Sequence, residues 1–189
     1  YGSQKLLYDF EDIRYGTVLS LGQQMDKLGN AMFEFKTETI RVRYAPAAKM
    51  KNENKEFRSV IFRSLIDSYD SYPFPRSGNS NVIFIESATD ALGGTEQFVK
   101  IFWSWTFAHT FWRKHTFNGA LSAGTADPTT PAIDAFTLGG DASRLNCYDQ
   151  SSSASHYYAD FPGLAHEERR GTRLAVGKIG YRLFIPRAF

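Results

Sequence analysis

Apolar and polar residues alternate with a period of two along most of this sequence, and a helical period of 3.6 is hard to find. Between Ile13 and Gln23, Tyr15, Thr17, Leu19 and Leu21 share one face, against Arg14, Gly16, Ser20 and Gly22 on the other. Lys27–Asn30 is a turn. The return strand, Ala31 to Tyr44, sets Phe33 and Phe35 against Glu34, Lys36 and Glu38. Aromatics outward and charges inward is the pattern of a membrane barrel with a wet interior. For this hairpin alone, the solvated face of a soluble sheet is the better account.

A polar loop, Pro46 to Lys55, leads to a third strand, Glu56 to Asp70, with Val60, Phe62 and Ile66 opposed to Arg63 and Asp67. The Ser71–Gly78 stretch, with two prolines and a glycine, is the clearest turn in the chain. Asn81 to Ala88 is a fourth strand, and Asp90 to Thr95 a further turn. The most informative strand is Gln97 to Trp112. Val99, Ile101, Trp103, Trp105, Phe107 and Phe111 fall on one face, interrupted by His109; Lys100, Ser104, Thr106, Ala108 and Thr110 fall on the other, Phe102 excepted. A soluble sheet buries such a face only beneath a second sheet of equal length. A bilayer asks for about 9–11 residues per tilted strand and aromatic girdles at its interfaces. Here the bilayer reading overtakes the soluble one, and Trp103, Trp105, Phe107 and Phe111 are the expected lipid-facing aromatics.

Arg113–His115 ends that strand in water, and Thr116 to Thr125 returns with Phe117, Leu121 and Ala123 outward. After the loop Ala126–Ala132, Phe136 leads into Leu138-Gly139-Gly140, a strand end tied off by glycines that let the backbone turn tightly. The Phe136–Tyr148 segment is read as lying inside or across the wall. A Ser-rich stretch, Gln150–Ser155, a short strand within His156–Pro162 and a charged loop, His166–Arg170, follow. Thr172 to Ile185 closes the chain, with Ala175, Ile179, Tyr181, Leu183 and Ile185 on one face and Lys178 and Arg182 on the other. The expected fold is one all-β domain over 1–189: an antiparallel up-and-down transmembrane β-barrel or half-barrel. It has about eight strands if the Gly-Gly strand is included, completed by a second subunit if it does not close alone.

Composition narrows this further. The 189 residues carry a net charge of +2 with acids and bases mixed, which argues against a nucleic-acid surface. One cysteine, Cys147, excludes an internal disulfide framework. No run of about 18 apolar residues supplies a transmembrane helix. Tyr1–Lys5 has no apolar core of a signal peptide, so an exported protein would be met here as a mature chain or a piece of a longer one.

Candidate chemistry is sparse. His109, His115, His156 and His166 lack ligand spacing. Ser151–Ser153 lacks a nucleophile elbow. Both Leu-Gly-Gly turns lack the helix that a phosphate cradle needs. No catalytic residue, metal or cofactor is expected. Lys178 and Arg182 on the inner face of the last strand, with Glu34 and Glu38 on an early one, are candidate lumenal charges. They are placed to hold the Arg144 loop or one another by charge-assisted hydrogen bonds, against a generic polar lining as the plainer account.

The stretches Asp67–Gly78, Leu92–Lys100, Phe136–Gly140 and Gly180–Phe184, in that order and spacing, resemble the barrel of the BamA-type outer-membrane superfamily (the bacterial surface antigen family). The Arg144-Leu145-Asn146-Cys147-Tyr148 segment looks most like the signature loop of the patatin-type surface lipases, and no lipase domain is expected within these 189 residues. The resemblance runs from about Phe57 to Phe184. It implies a lumenal loop, about 139–160, with signature residues Gly139, Gly140, Arg144, Leu145, Asn146, Cys147 and Tyr148, folded back so that its tip meets charged groups of the inner wall. The signature carries Gly where this chain has Cys147, and the tip Arg of the assembly branch falls at Asn146. It also implies a barrel with about twice the strands counted here, in the outer membrane of a Gram-negative bacterium.

Eight strands close around a space just wide enough for side chains. A long loop hardly fits there, which favours association or a shortened loop across the mouth. The function that the resemblance implies is a non-enzymatic membrane anchor, pore or protein insertion and translocation element. Its expected partners are membrane lipid and either a homo-oligomer or other outer-membrane proteins, with no nucleic acid. A soluble all-β binding module is the alternative, and an enzyme with a site at the barrel mouth ranks last.

Overall fold

The computed structural model describes residues 10–25, 29–44, 53–72, 74–139, 158–159, 164 and 168–185. Six strands follow one another: β1 (Phe10–Met25), β2 (Gly29–Tyr44), β3 (Glu53–Asp67), β4 (Ser77–Ala88), β5 (Phe98–Phe111) and β6 (His115–Ala126). Three short strands, β7 (Phe136–Leu138), β8 (Tyr158–Ala159) and β9 (Arg169–Gly171), come next, and β10 (Arg173–Leu183) ends the series.

The long strands form one seven-stranded antiparallel sheet in the order β1-β2-β3-β4-β5-β6-β10. The up-and-down meander expected from the period of two is therefore present. Each of these strands is at least as long as the roughly 9–11 residues that cross a bilayer. Among the described residues the wall numbers seven, because the Gly-Gly strand is not part of it. Phe136–Leu138 instead forms a small sheet, parallel to β8 and antiparallel to β9. Part of the segment read as a charged loop thus becomes strand β9. The short strand expected within His156–Pro162 is β8.

The third strand begins and ends three residues earlier than its alternation suggests. Side chains explain its end. Asp67 Oδ1 accepts the Tyr69 amide at 2.9 Å, and Asp70 Oδ1 accepts the amides of Arg76 and Ser77 at 2.8 and 3.1 Å. These carboxylates offer the backbone a turn in place of a ladder.

The two faces of the wall are inverted relative to a water-soluble sheet. Leu19, Leu21, Phe33, Phe35, Val60, Ile101, Leu121 and Ile179 are exposed on the outer face, with Ile179 87% exposed. The inner face holds the buried side chains, polar and apolar together. One apolar cluster joins Ile40, Val42, Phe57, Ala88, Phe98 and Ile133; a second joins Ile61, Phe84, Phe102, Ala126 and Phe136. Phe102, the exception to its strand's alternation, faces inward and meets Phe136 at 6.1 Å. The ring of Phe136 fits because β6 presents Gly124 there, where an added Cβ would lie 2.7 Å from the ring.

Candidate functional site

Between the two apolar clusters a row of charges crosses the inner face. Arg14 on β1, Glu38 and Lys36 on β2, Ser59 on β3, Glu86 on β4 and Lys100 on β5 all occupy inward positions. Glu86 and Lys100 stand directly opposite across the β4–β5 ladder, with Lys100 Nζ 3.4 Å from Glu86 Oε2. Lys36 reaches Glu86 Oε1 at 2.6 Å although a whole strand separates them. The residue between is Ser59, small enough to leave the path open, and its hydroxyl donates to the same carboxylate at 2.8 Å. Glu38 continues the row, 3.4 Å from Lys36 and 3.7 Å from Arg14.

The row ends on the segment that follows β6. Asp127 starts this segment by accepting the Val99 amide at 2.9 Å, and Pro131 leads into a single 3-10 turn, Ala132–Asp134. Asp134 is 1% exposed and receives Lys100 twice, 2.8 Å to Oδ2 and 3.1 Å to its own carbonyl. Arg14 donates to the Ile133 carbonyl at 3.0 Å. Residues 131–138 thus form a strap held against the inner wall from both sides: by β5 through Lys100 and by β1, the outermost strand, through Arg14.

Three cations (Arg14, Lys36, Lys100) meet three carboxylates (Glu38, Glu86, Asp134) in this relay. Charges taken out of water are tolerated only when so paired and hydrogen-bonded. Such a network is weak evidence for stability, because desolvation offsets much of the attraction. Its stronger effect is positional, since it gives the strap one place to sit. A recess of about 310 Å³, lined by Arg14, Gly16, Val18, Lys36 and Glu38, opens at the β1 end of the row.

A second contact system covers the inner face where β3, β5 and β10 end. The 68–76 turn reaches over β5, with Tyr69 Oη donating to Thr106 at 2.6 Å and Thr110 donating to the Arg76 carbonyl at 2.7 Å. It then meets β10, where Arg182 donates to the Pro75 carbonyl and lies 5.3 Å over the Phe74 ring.

The expected lumenal charges are accordingly distributed. Glu34 and Glu38 are buried on the inner face, Glu34 paired with Arg63 at 3.2 Å and Glu38 within the relay. Arg182 faces inward and binds the 68–76 turn, and Lys178 is half-buried on the same face. Trp103, Trp105, Phe107 and Phe111 lie on the outer face, Trp105 and Phe107 stacked at 5.1 Å. Gly139 has a φ of 133°, which L side chains rarely adopt. Gly140, Arg144, Leu145, Asn146, Cys147 and Tyr148 lie outside the described residues. Sequence reasoning placed Arg14, Lys36, Arg63 and Lys100 on the polar face but did not pair them, and it passed over Asp134, whose signal was a lone carboxylate among Ile133, Ala135 and Phe136. Among the described residues, no group of three or more His, Cys, Asp or Glu side chains is arranged to hold a metal ion.

The profile of the Omp85 superfamily domain matches residues 2–153, well over half of the chain. No curated protein matches it. The superfamily is one of outer-membrane protein insertion and translocation, found in Gram-negative bacteria and organelles, and its members are generally not enzymes. An antiparallel wall with its apolar face outward and a strap clamped to its inner side fits that assignment, and the chain belongs to the Omp85 superfamily.

Proposed function

We propose that this chain is a non-enzymatic wall element of a Gram-negative outer-membrane barrel. In this reading it acts in protein insertion or translocation, within an oligomer or a complex with other outer-membrane proteins. The observation that carries the proposal is the inverted sheet: exposed Leu19, Leu21, Phe33 and Ile179 outside, and a buried relay of paired charges inside. Hydrocarbon accepts the first face, and only an interior shielded from it accepts the second.

The ends of the sheet carry the function. Among the described residues, β1 pairs only with β2 and β10 only with β6. In lipid each unpaired backbone group costs several kcal/mol, so both edges need a partner. Seven alternating strands leave β1 and β10 running the same way, and direct closure between them would be a parallel seam. An antiparallel closure takes an odd number of further strands from whatever completes the wall. A seam that can be closed by more than one partner is also one where a client strand can add. The packed interior, with Phe57, Phe84, Phe98 and Phe136 at 2% exposure or less, favours insertion over free conduction along this half of the wall.

The mass of the native particle in detergent tests this. The expected result is a particle heavier than one 21.4 kDa chain, containing a second copy or another outer-membrane protein. A detergent-independent, dissolved monomer would overturn the proposal in favour of a soluble all-β binding module.

A further inference from the structure

We infer that the β5–β6 turn, Trp112-Arg113-Lys114, is a headgroup anchor that docks this end of the wall onto the phosphate-bearing surface of a glycerophospholipid leaflet. The inference rests on the membrane reading above and adds a surface, a ligand chemistry and an orientation to it.

The backbone of the turn is the first observation. Trp112 and Arg113 have φ values of 49° and 60°, and among the described residues they are the only non-glycine positions with positive φ. A tight hairpin asks for such angles, and Asn-Gly or Asp-Gly meets them at little cost. A bulky indole in that conformation is an outlier, and strain of this kind collects where a side chain is needed for something other than the turn. The side chains so displayed are an indole, 80% exposed, followed by two exposed cations.

The surroundings are the second observation. Directly beneath the turn on the outer face lies a continuous aromatic patch. Phe111 stacks on Phe117 at 5.2 Å, Phe117 meets Tyr181 at 5.3 Å, and Trp112 stands edge-on to both Phe111 and His115. Within the patch the Tyr181 hydroxyl lies 2.6 Å from His115 Nδ1. Rings with an apolar body and a polar tip, topped by Arg and Lys, complement acyl chains below and phosphates above.

Connection length selects the leaflet. The end that carries this turn is bridged by residues 26–28, 68–76 and 112–114, and the other end by 45–52, 89–97 and 127–172. Outer-membrane barrels keep their short turns on the periplasmic side, which places Trp112 at the periplasmic leaflet.

The chain holds three tryptophans, which makes the test direct. With Trp103→Phe and Trp105→Phe, Trp112 alone reports its depth in vesicles of phosphatidylcholine and phosphatidylglycerol carrying bromine at graded acyl positions. The expected result is quenching by bromine nearest the headgroup and little by bromine near the chain ends; the complementary Trp112→Phe chain should show the reverse. Adding phosphatidylglycerol should raise the folded-to-unfolded ratio of the wild type, and Arg113→Gln with Lys114→Gln should reduce that gain by about fivefold per cation. Lys114→Cys in a Cys147→Ser background should escape an impermeant maleimide in intact cells. Trp112 reached only by aqueous iodide, a gain unchanged in the double variant, or labelling of intact cells would each overturn the inference. If Trp103 and Trp105 also escape lipid-borne quenchers, the membrane reading falls with it; if they are quenched while Trp112 is not, only the anchor falls.

Discussion

Lys100 stands between the rings of Phe84 and Phe98, 5.8 Å from each centroid, with Glu86 and Asp134 at its ammonium group. Removing that charge takes one cation from Asp134 and one of two from Glu86, in a site with almost no access to water. Lys100→Met is therefore expected to destabilise the folded wall by about 3–5 kcal/mol, read as a shift in the urea midpoint of unfolding from lipid vesicles. The pair can instead be removed together. Lys100→Met with Asp134→Leu should recover much of the loss, because Glu86 keeps Lys36 and Ser59 as partners. If the double variant is no more stable than the single one, the clamp is not what holds the strap. Gly124 offers a steric counterpart. Gly124→Ala pushes a methyl into the Phe136 ring and should cost about 1–3 kcal/mol, a loss that Phe136→Leu should partly relieve in the same unfolding measurement.

At the scale of elements, Asp70 is one of two carboxylates that hold the 68–76 turn. The amides of Arg76 and Ser77 hold Asp70 below the usual carboxylate range, since both donate to its charged form. A group whose pKa is depressed by folding contributes order that is present above its unfolded value of about 3.9 and lost as pH falls through the lower, folded value. The turn should therefore stay intact from neutrality down through the ordinary carboxylate range and loosen only beneath it. The Arg76 amide resonance checks this: its acid titration should fall below the usual Asp midpoint and vanish in Asp70→Asn. A midpoint at or above the ordinary value would contradict the assignment.

The same turn shows where sequence reading stops. Alternation reveals which face each strand presents, because the two sides of the sheet impose opposite demands at a period of two. It does not reveal where a strand yields to a turn held by Asp67 and Asp70, since that depends on side-chain geometry. Nor does it say that Phe136–Leu138 leaves the wall. Three residues show alternation too brief to separate a wall strand from a strap, and the contact that decides, Lys100 with Asp134, joins residues far apart in the chain.

At the scale of the whole molecule, the inverted wall makes a prediction that neither a residue nor an element makes alone. The β5 strand places Trp105 outward and Ser104 inward, next to each other in the chain and on opposite sides of the sheet. In a soluble sandwich the aromatic face would be the interior, and a charge there would be the damaging one wherever the sheet was studied. In a membrane wall the penalty comes from hydrocarbon and depends on depth. Trp105→Arg, near the middle of its strand, should cost about 2–4 kcal/mol in vesicles. Ser104→Arg, entering an inner face already lined by paired charges, should cost less. Phe111→Arg, at the interfacial end of the same outer face, should cost about 0–1 kcal/mol. Equilibrium unfolding of the three variants from the same vesicles separates these cases. A graded loss from Trp105 to Phe111 places the bilayer around the sheet. Equal losses at Trp105 and Phe111 would mean that the outer face packs against protein along its whole length.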